Sequence, residues 1–128
     1  MVDIENTVFN NVANALRARY STISVYGEYV EVPETFPSVS LVEDDNSEME
    51  NNVSLSREPE TASQLMYTAN VYSNKATGKK TQAKEIINLI DERMHNMGFV
   101  RTMLSPLPNV DRTIYRITAR YTKVIQIF

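Results

Sequence analysis

The chain has 128 residues, 42% of them hydrophobic, enough for one domain spanning 1–128 to bury roughly two-thirds of its unfolded surface without staples. It contains no cysteine, which excludes disulfides and thiolate metal sites and fits a reducing cytoplasm. No apolar run approaches the roughly 18 residues that cross a bilayer, and Met1 to Asn10 lacks the charged-then-apolar opening of a secretory signal.

The net charge of −3 conceals an uneven distribution: residues 1–63 carry twelve acids against three bases, and residues 64–128 ten bases against four acids. A basic half suits nucleic acid. Equally, such asymmetry makes one edge of a subunit complementary to the opposite edge of its neighbour.

Taken in order, Asp3 to Tyr20 reads as a helix, because Ile4, Val8, Val12, Leu16 and Tyr20 recur every four residues. Asp3 is placed to cap it, with Glu5 in the first turn where the helix dipole favours an acid. Ile23 to Val32, rich in β-branched and aromatic residues, predicts a strand bent at Gly27 and ended by Pro33. After a turn at Thr35-Phe36-Pro37, Val39 and Leu41 alternate with serines in a second, short strand. Glu43 to Ser63 then holds seven acids, three asparagines and four serines in 21 residues. That composition predicts a long, solvated acidic loop whose ordering waits for a partner.

From Leu65 the apolar residues Leu65, Tyr67, Ala69 and Val71 alternate as on a half-buried strand, with Thr68 and Asn70 on the other face. Asn74 to Lys80 break that pattern. Beyond them the period becomes helical, with Ala83, Ile86, Ile87, Ile90, Met94 and Met97 on one stripe, Thr81 as the expected cap and Gly98 as the stop. A left-handed Gly98 would fold Phe99 back onto Met94. Val100 to Leu104 predicts a strand, and Ser105 to Asp111, with two prolines, a turn. Thr113 to Phe128 is the longest strand candidate. Its Tyr115, Ile117, Ala119, Tyr121 and Ile125 share the core face, and Arg116, Thr118, Arg120 and Thr122 the opposite one. The predicted order is helix, three strands, helix, two strands. It gives an α+β fold whose largely antiparallel sheet carries both helices on one face, with a long acidic loop at 43–63 between strands.

Reactive chemistry is sparse. His95 is the only histidine, and in the last turn of a helix it serves most simply as a favourable group near the negative helix end. No nucleophile-elbow signature accompanies it. Asp44 and Asp45 lack the ligand spacing and glycine of a calcium loop. Gly78-Lys79-Lys80-Thr81 joins a strand to a helix as a phosphate-binding loop does, but Ser73 and Lys80 stand where that motif needs glycine and a hydroxyl residue. A solvated basic turn is the simpler reading, although helix-start amides can hold an anion. Tyr67, Tyr115 and Tyr121 belong to the core faces and Tyr72 fits either, so the aromatics form no base-stacking platform. These residues indicate no catalytic, cofactor or metal site, and no enzyme.

The stretches Asn70-Val71-Tyr72-Ser73-Asn74-Lys75, Gly78-Lys79-Lys80, Gly98-Phe99-Val100-Arg101-Thr102, Pro106-Leu107-Pro108-Asn109, Ile114-Tyr115-Arg116 and Arg120-Tyr121 resemble the tail-terminator or tail-completion proteins of long-tailed phages. The resemblance covers Tyr67 to Val124 and the order of elements before it. It implies a virion protein of the tail neck, assembled in the host cytoplasm as a hexameric ring on the head-proximal end of the tail tube. Such a ring stops tube polymerisation and provides the head-joining surface. Its implied partners are its own copies, the tail tube protein and the head-completion or connector protein, with DNA passing through the lumen without specific binding and no membrane involved.

On this reading the acidic loop, through Asp44, Asp45, Glu48 and Glu50, reaches a neighbouring subunit or ring. Lys79, Lys80, Arg116 and Arg120 are the basic counterparts. Exposed ion pairs contribute only about 0–1 kcal/mol each, so apolar contact must supply affinity while charge sets orientation. The alternatives are a head-closure or connector adaptor of the same neck, an Arg116 face lining a channel for DNA, and a small nucleic-acid-binding module, for which no motif is present.

Overall fold

Alternation in the central strand accounts for the layering. Leu65, Tyr67, Ala69 and Val71 are all at most 1% exposed, and they point to the same side as Ile117, Ala119 and Tyr121 of the strand beside them. The computed structural model describes residues 3–30, 33, 35–48, 62–108 and 111–126. Along the chain run α1 (Glu5–Arg19), β1 (Ser24–Tyr26), β2 (Ser38–Glu48), β3 (Ala62–Ser73), α2 (Lys79–Asn96), β4 (Val100–Leu107) and β5 (Tyr115–Gln126). The five strands form one sheet in the order β1-β2-β3-β5-β4, antiparallel except for the β1–β2 pair. This is the expected α+β class with the expected order of elements.

The helices lie together on the face marked out by Tyr67 and Tyr121. Val8, Val12 and Leu16 of α1 and Ala83, Ile86, Ile87, Ile90 and Met94 of α2 are buried in one cluster with those strand residues. Fully burying a large apolar side chain contributes roughly 1.5–3 kcal/mol, so this shared cluster, rather than helix propensity, holds α1 and α2 in place. Arg93 Nε donates to Asn11 Oδ1 at 2.9 Å and fixes one helix against the other. Phe99 packs its ring edge against Tyr67, 5.3 Å between centroids at 85°.

The end of α2 follows the expected stop. Gly98 has φ +87°, its amide donates to His95 O at 2.9 Å, and the Phe99 amide donates to Met94 O at 3.0 Å. These are the two bonds of a glycine-terminated helix. Its start differs from expectation: Gly78, at φ +86°, is the cap and Thr81 lies inside the helix. At α1 the cap is Ile4, while Asp3 accepts the Glu5 amide from outside at 3.3 Å.

Several boundaries are corrected. The first strand is only Ser24–Tyr26, because the chain leaves β2 at Gly27 and Gly27 to Val30 make no strand pairing; Glu31 and Val32, the end of the expected strand, lie outside the described residues. Within the predicted loop at 43–63, Glu43–Glu48 belongs to β2 and Ala62 and Ser63 to β3, and residues 49–61 lie outside the described ones. Acidic residues extend β2 because each strand face alternates. A bulge at Asp44 resets the register, so that Glu43 pairs Tyr67 and Asp45 pairs Met66, leaving Asp44, Asp45 and Glu48 exposed. β4 continues through Ser105 and Pro106 to Leu107, which were expected to turn. It is an edge strand, where proline's missing N–H costs no ladder bond.

Candidate functional site

Among the described residues no helix lies on the second face of the sheet, and its side chains form ordered rows. Register places Val42, Thr68, Arg120 and Met103 in one row, Ser40, Asn70, Thr118 and Ser105 in the next, and Ser38, Tyr72, Arg116 and Leu107 in a third. A shallow cleft of 450 Å³ crosses these rows, walled by Val42, Met66, Met103 and Leu107, with Asp44 at one side and Arg116 and Arg120 at the other. Tyr29, 60% exposed, overhangs it. Thr68, Asn70 and Thr118 put polar groups at its base, between apolar walls and charged margins.

Asn70 is the fixed point of this face. It is 4% exposed, and its Oδ1 accepts from Thr118 Oγ1 at 2.6 Å and from Arg116 Nη2 and Nε at 3.0 and 3.2 Å. Its Nδ2 donates to Ser40 Oγ at 3.4 Å. Arg116 also lies 5.5 Å from the centre of the Tyr72 ring. Arg116, expected as a basic counterpart, is thus held in place by the scaffold, half-buried and with its charge at the margin of the cleft. Tyr72, whose position was open from sequence, is buried on this face and donates to Val30 O at 3.2 Å. Burial raises its phenol pKa, opposed by the nearby Arg116 charge. Arg120, by contrast, is exposed.

The other expected residues are distributed along the sheet. Asp44 accepts the Thr68 hydroxyl, and Asp45 accepts that of Ser47 at 2.5 Å. Glu48 is exposed at the end of β2, and Glu50 lies outside the described residues. Lys79 and Lys80 begin α2, which abuts the other end of β3 through the 2.6 Å bond from Ser73 Oγ to Gln82 Oε1. Lys79 Nζ donates to Arg112 O at 3.1 Å, beside Asp111, whose carboxyl pKa is lowered by hydrogen bonds from Thr113 and by the Lys79 charge. Ser63, opposite Glu48, and Ser73, next to α2, are ten residues apart, about 33 Å of strand. The structure therefore does not bring the acids and lysines together: Glu48 stands at one end of β3 and the lysines beyond the other, whereas Asp44 and Asp45 lie opposite Tyr67 and Met66 near its middle, with Asp44 in the cleft that Arg116 and Arg120 also line. Sequence periodicity gives the face of a residue and not its position along a neighbouring strand, so this arrangement emerges only with the register.

His95 pairs within its own helix turn. Its Nδ1 lies 2.9 Å from Asp91 O and 3.1 Å from Asp91 Oδ2, while Asp91 Oδ1 accepts from Arg101 and from Tyr121, each at 3.0 Å. Among the described residues no three histidine or acidic side chains are grouped to hold a metal ion. No helix among them is long and apolar enough to cross a membrane. A second cleft, of 520 Å³, lies between α1 and residues 25–30; no sequence pattern marks it, because it forms only where the chain leaves β2.

No family model matches the chain, and no curated protein matches it.

Proposed function

We propose that the protein is a structural, ring-forming subunit of a phage tail neck, a tail terminator that caps the head-proximal end of the tail tube and presents the head-joining surface. The observation that carries this reading is the charge arrangement along the sheet: Glu48 at one end with Asp44 and Asp45 further along β2, and Lys79, Lys80 and Arg112 beyond the opposite end of β3. A surface whose two ends are complementary to each other favours head-to-tail contacts between copies. Such contacts close into a ring when the rotation per subunit divides a full turn. The uncovered sheet face, with Val42, Met66, Met103 and Leu107 around Asn70, supplies the apolar area that exposed charge pairs cannot.

In this reading the copies form a hexamer, one rim meets the tail tube protein, the other meets the head-completion protein, and DNA crosses the lumen without specific contacts. Tails assembled without the protein and viewed by electron microscopy test it. Overlong tubes are expected. Tubes of normal length that fail to join heads would instead make it a head-closure adaptor.

A further inference from the structure

After Tyr26 the chain peels away from β2, and the gap it opens under the first turns of α1 is the 520 Å³ cleft. Phe9, Tyr26, Tyr29 and Tyr67 supply aromatic walls, and Glu5 and Glu28 stand in its lining. Glu43 accepts the Tyr67 hydroxyl at 3.4 Å. We propose that this cleft receives the guanidinium or ammonium group of a lysine or arginine carried by a second copy of the chain.

Three features support a cationic occupant. Aromatic faces attract a cation through the negative charge of their π-systems, and carboxylates nearby add a direct charge interaction. The charged groups around Glu43 are of one sign: burial raises its carboxyl pKa first, then Glu5 by like-charge repulsion and a side-chain hydrogen bond, and last Asp3, with the Tyr67 hydrogen bond opposing them. Among the described residues no lysine or arginine forms an ion pair with Glu5, Glu28 or Glu43. A neutral ligand would leave that repulsion in place, whereas a cation relieves it. The second copy is the source that the charge distribution favours, since residues 64–128 carry a large excess of bases and Lys75, Lys80, Lys84, Arg112 and Arg120 are exposed. This source rests on the ring-forming reading; the chemistry of the cleft does not.

Two experiments separate them. In the first, N-acetyl-arginine amide is titrated into the full chain while the ring protons of Phe9, Tyr26 and Tyr67 are followed by NMR, with N-acetyl-norleucine amide as the uncharged control. Saturable shifts are expected for the arginine probe alone, with affinity reduced about tenfold or more in Glu5→Gln/Glu43→Gln. Equal response to both probes, or unchanged affinity in the double variant, overturns the cation site. In the second, Glu5→Lys places a cation beside Glu43 within the same chain. Sedimentation velocity should then show ring formation lost while the Glu5→Gln subunit remains folded. Rings formed by Glu5→Lys as readily as by the wild type overturn the second copy as source. A wild-type chain that stays monomeric overturns both that source and the ring reading, with the NMR titration still deciding the chemistry of the cleft.

Discussion

The Tyr121 hydroxyl donates to Asp91 Oδ1 at 3.0 Å, tying the fully buried face of β5 to α2. Burial, with the Asp91 charge beside it, raises the Tyr121 pKa. Asp91→Ala leaves that buried hydroxyl without its acceptor, a loss of about 1–3 kcal/mol. Arg101 is 40% exposed, so its ion pair with Asp91 adds little. Urea unfolding should show a lower midpoint at unchanged slope, and Asp91→Ala in a Tyr121→Phe background should cost less than it does alone.

Asn70 gives a second test, one that separates scaffold from surface. Asn70→Ala removes the acceptor shared by Thr118 and Arg116 and should cost about 1–3 kcal/mol by chemical denaturation. Arg120 is exposed, so Arg120→Glu should change stability by no more than about 0.5 kcal/mol. The same substitution should weaken ring assembly. Assembly unaffected by Arg120→Glu would remove this face from the interface.

Reversing the acidic end should impair assembly without unfolding the subunit. Asp44→Lys, Asp45→Lys, Glu48→Lys and Glu50→Lys combined turn a complementary contact into a repulsive one. Ring formation at low salt, measured by sedimentation, should be lost, with circular dichroism unchanged. Wild-type rings from this variant would contradict the proposed charge pairing.

The two left-handed glycines predict different costs for the same substitution. At Gly78, φ +86°, an added Cβ meets nothing within 4 Å, so Gly78→Ala carries only backbone strain of about 1–2 kcal/mol. At Gly98, φ +87°, the Cβ lies 3.2 Å from the Lys123 side chain, whose Nζ donates to Met97 O at 2.5 Å. Gly98→Ala must both strain the backbone and disturb that bond at the helix end. Thermal unfolding should rank Gly98→Ala as the more damaging.

Glu43 makes stability depend on pH with a definite sign. Its folded pKa is raised above the ordinary 4.5 by burial and by Glu5, so between those values the folded chain binds more protons than the unfolded one. Its contribution to stability is therefore present below pH 4.5 and lost as pH rises through the raised value. Glu43→Gln should stabilise the protein at neutral pH and flatten that decline in urea titrations across pH 4–8. Asp111 acts oppositely: its pKa is lowered from 3.8, so its contribution disappears as pH falls through the lowered value.

Period alone determined much of this molecule. The four-residue spacing from Val8 to Leu16, the stripe from Ala83 to Met94 and the alternation from Leu65 to Val71 each define a buried face without reference to the rest of the chain. Gly98 followed by Phe99 likewise fixes the end of α2, because only the local backbone is involved. What tertiary structure decided are the matters that depend on a partner strand. Glu43–Glu48 reads as loop by composition, yet pairing with Ser63–Tyr67 makes it strand, since ladder hydrogen bonds do not depend on side-chain polarity at an exposed face. Pro106 reads as a turn, yet an edge position tolerates it. Arg116 reads as a charge on the second face, and only the fold shows that Asn70, 46 positions away, holds it there. Register between distant segments is a property of the whole sheet, and it alone separates Glu48 from the lysines by the length of β3 and ends the pairing of β1 beside the cleft at Tyr26.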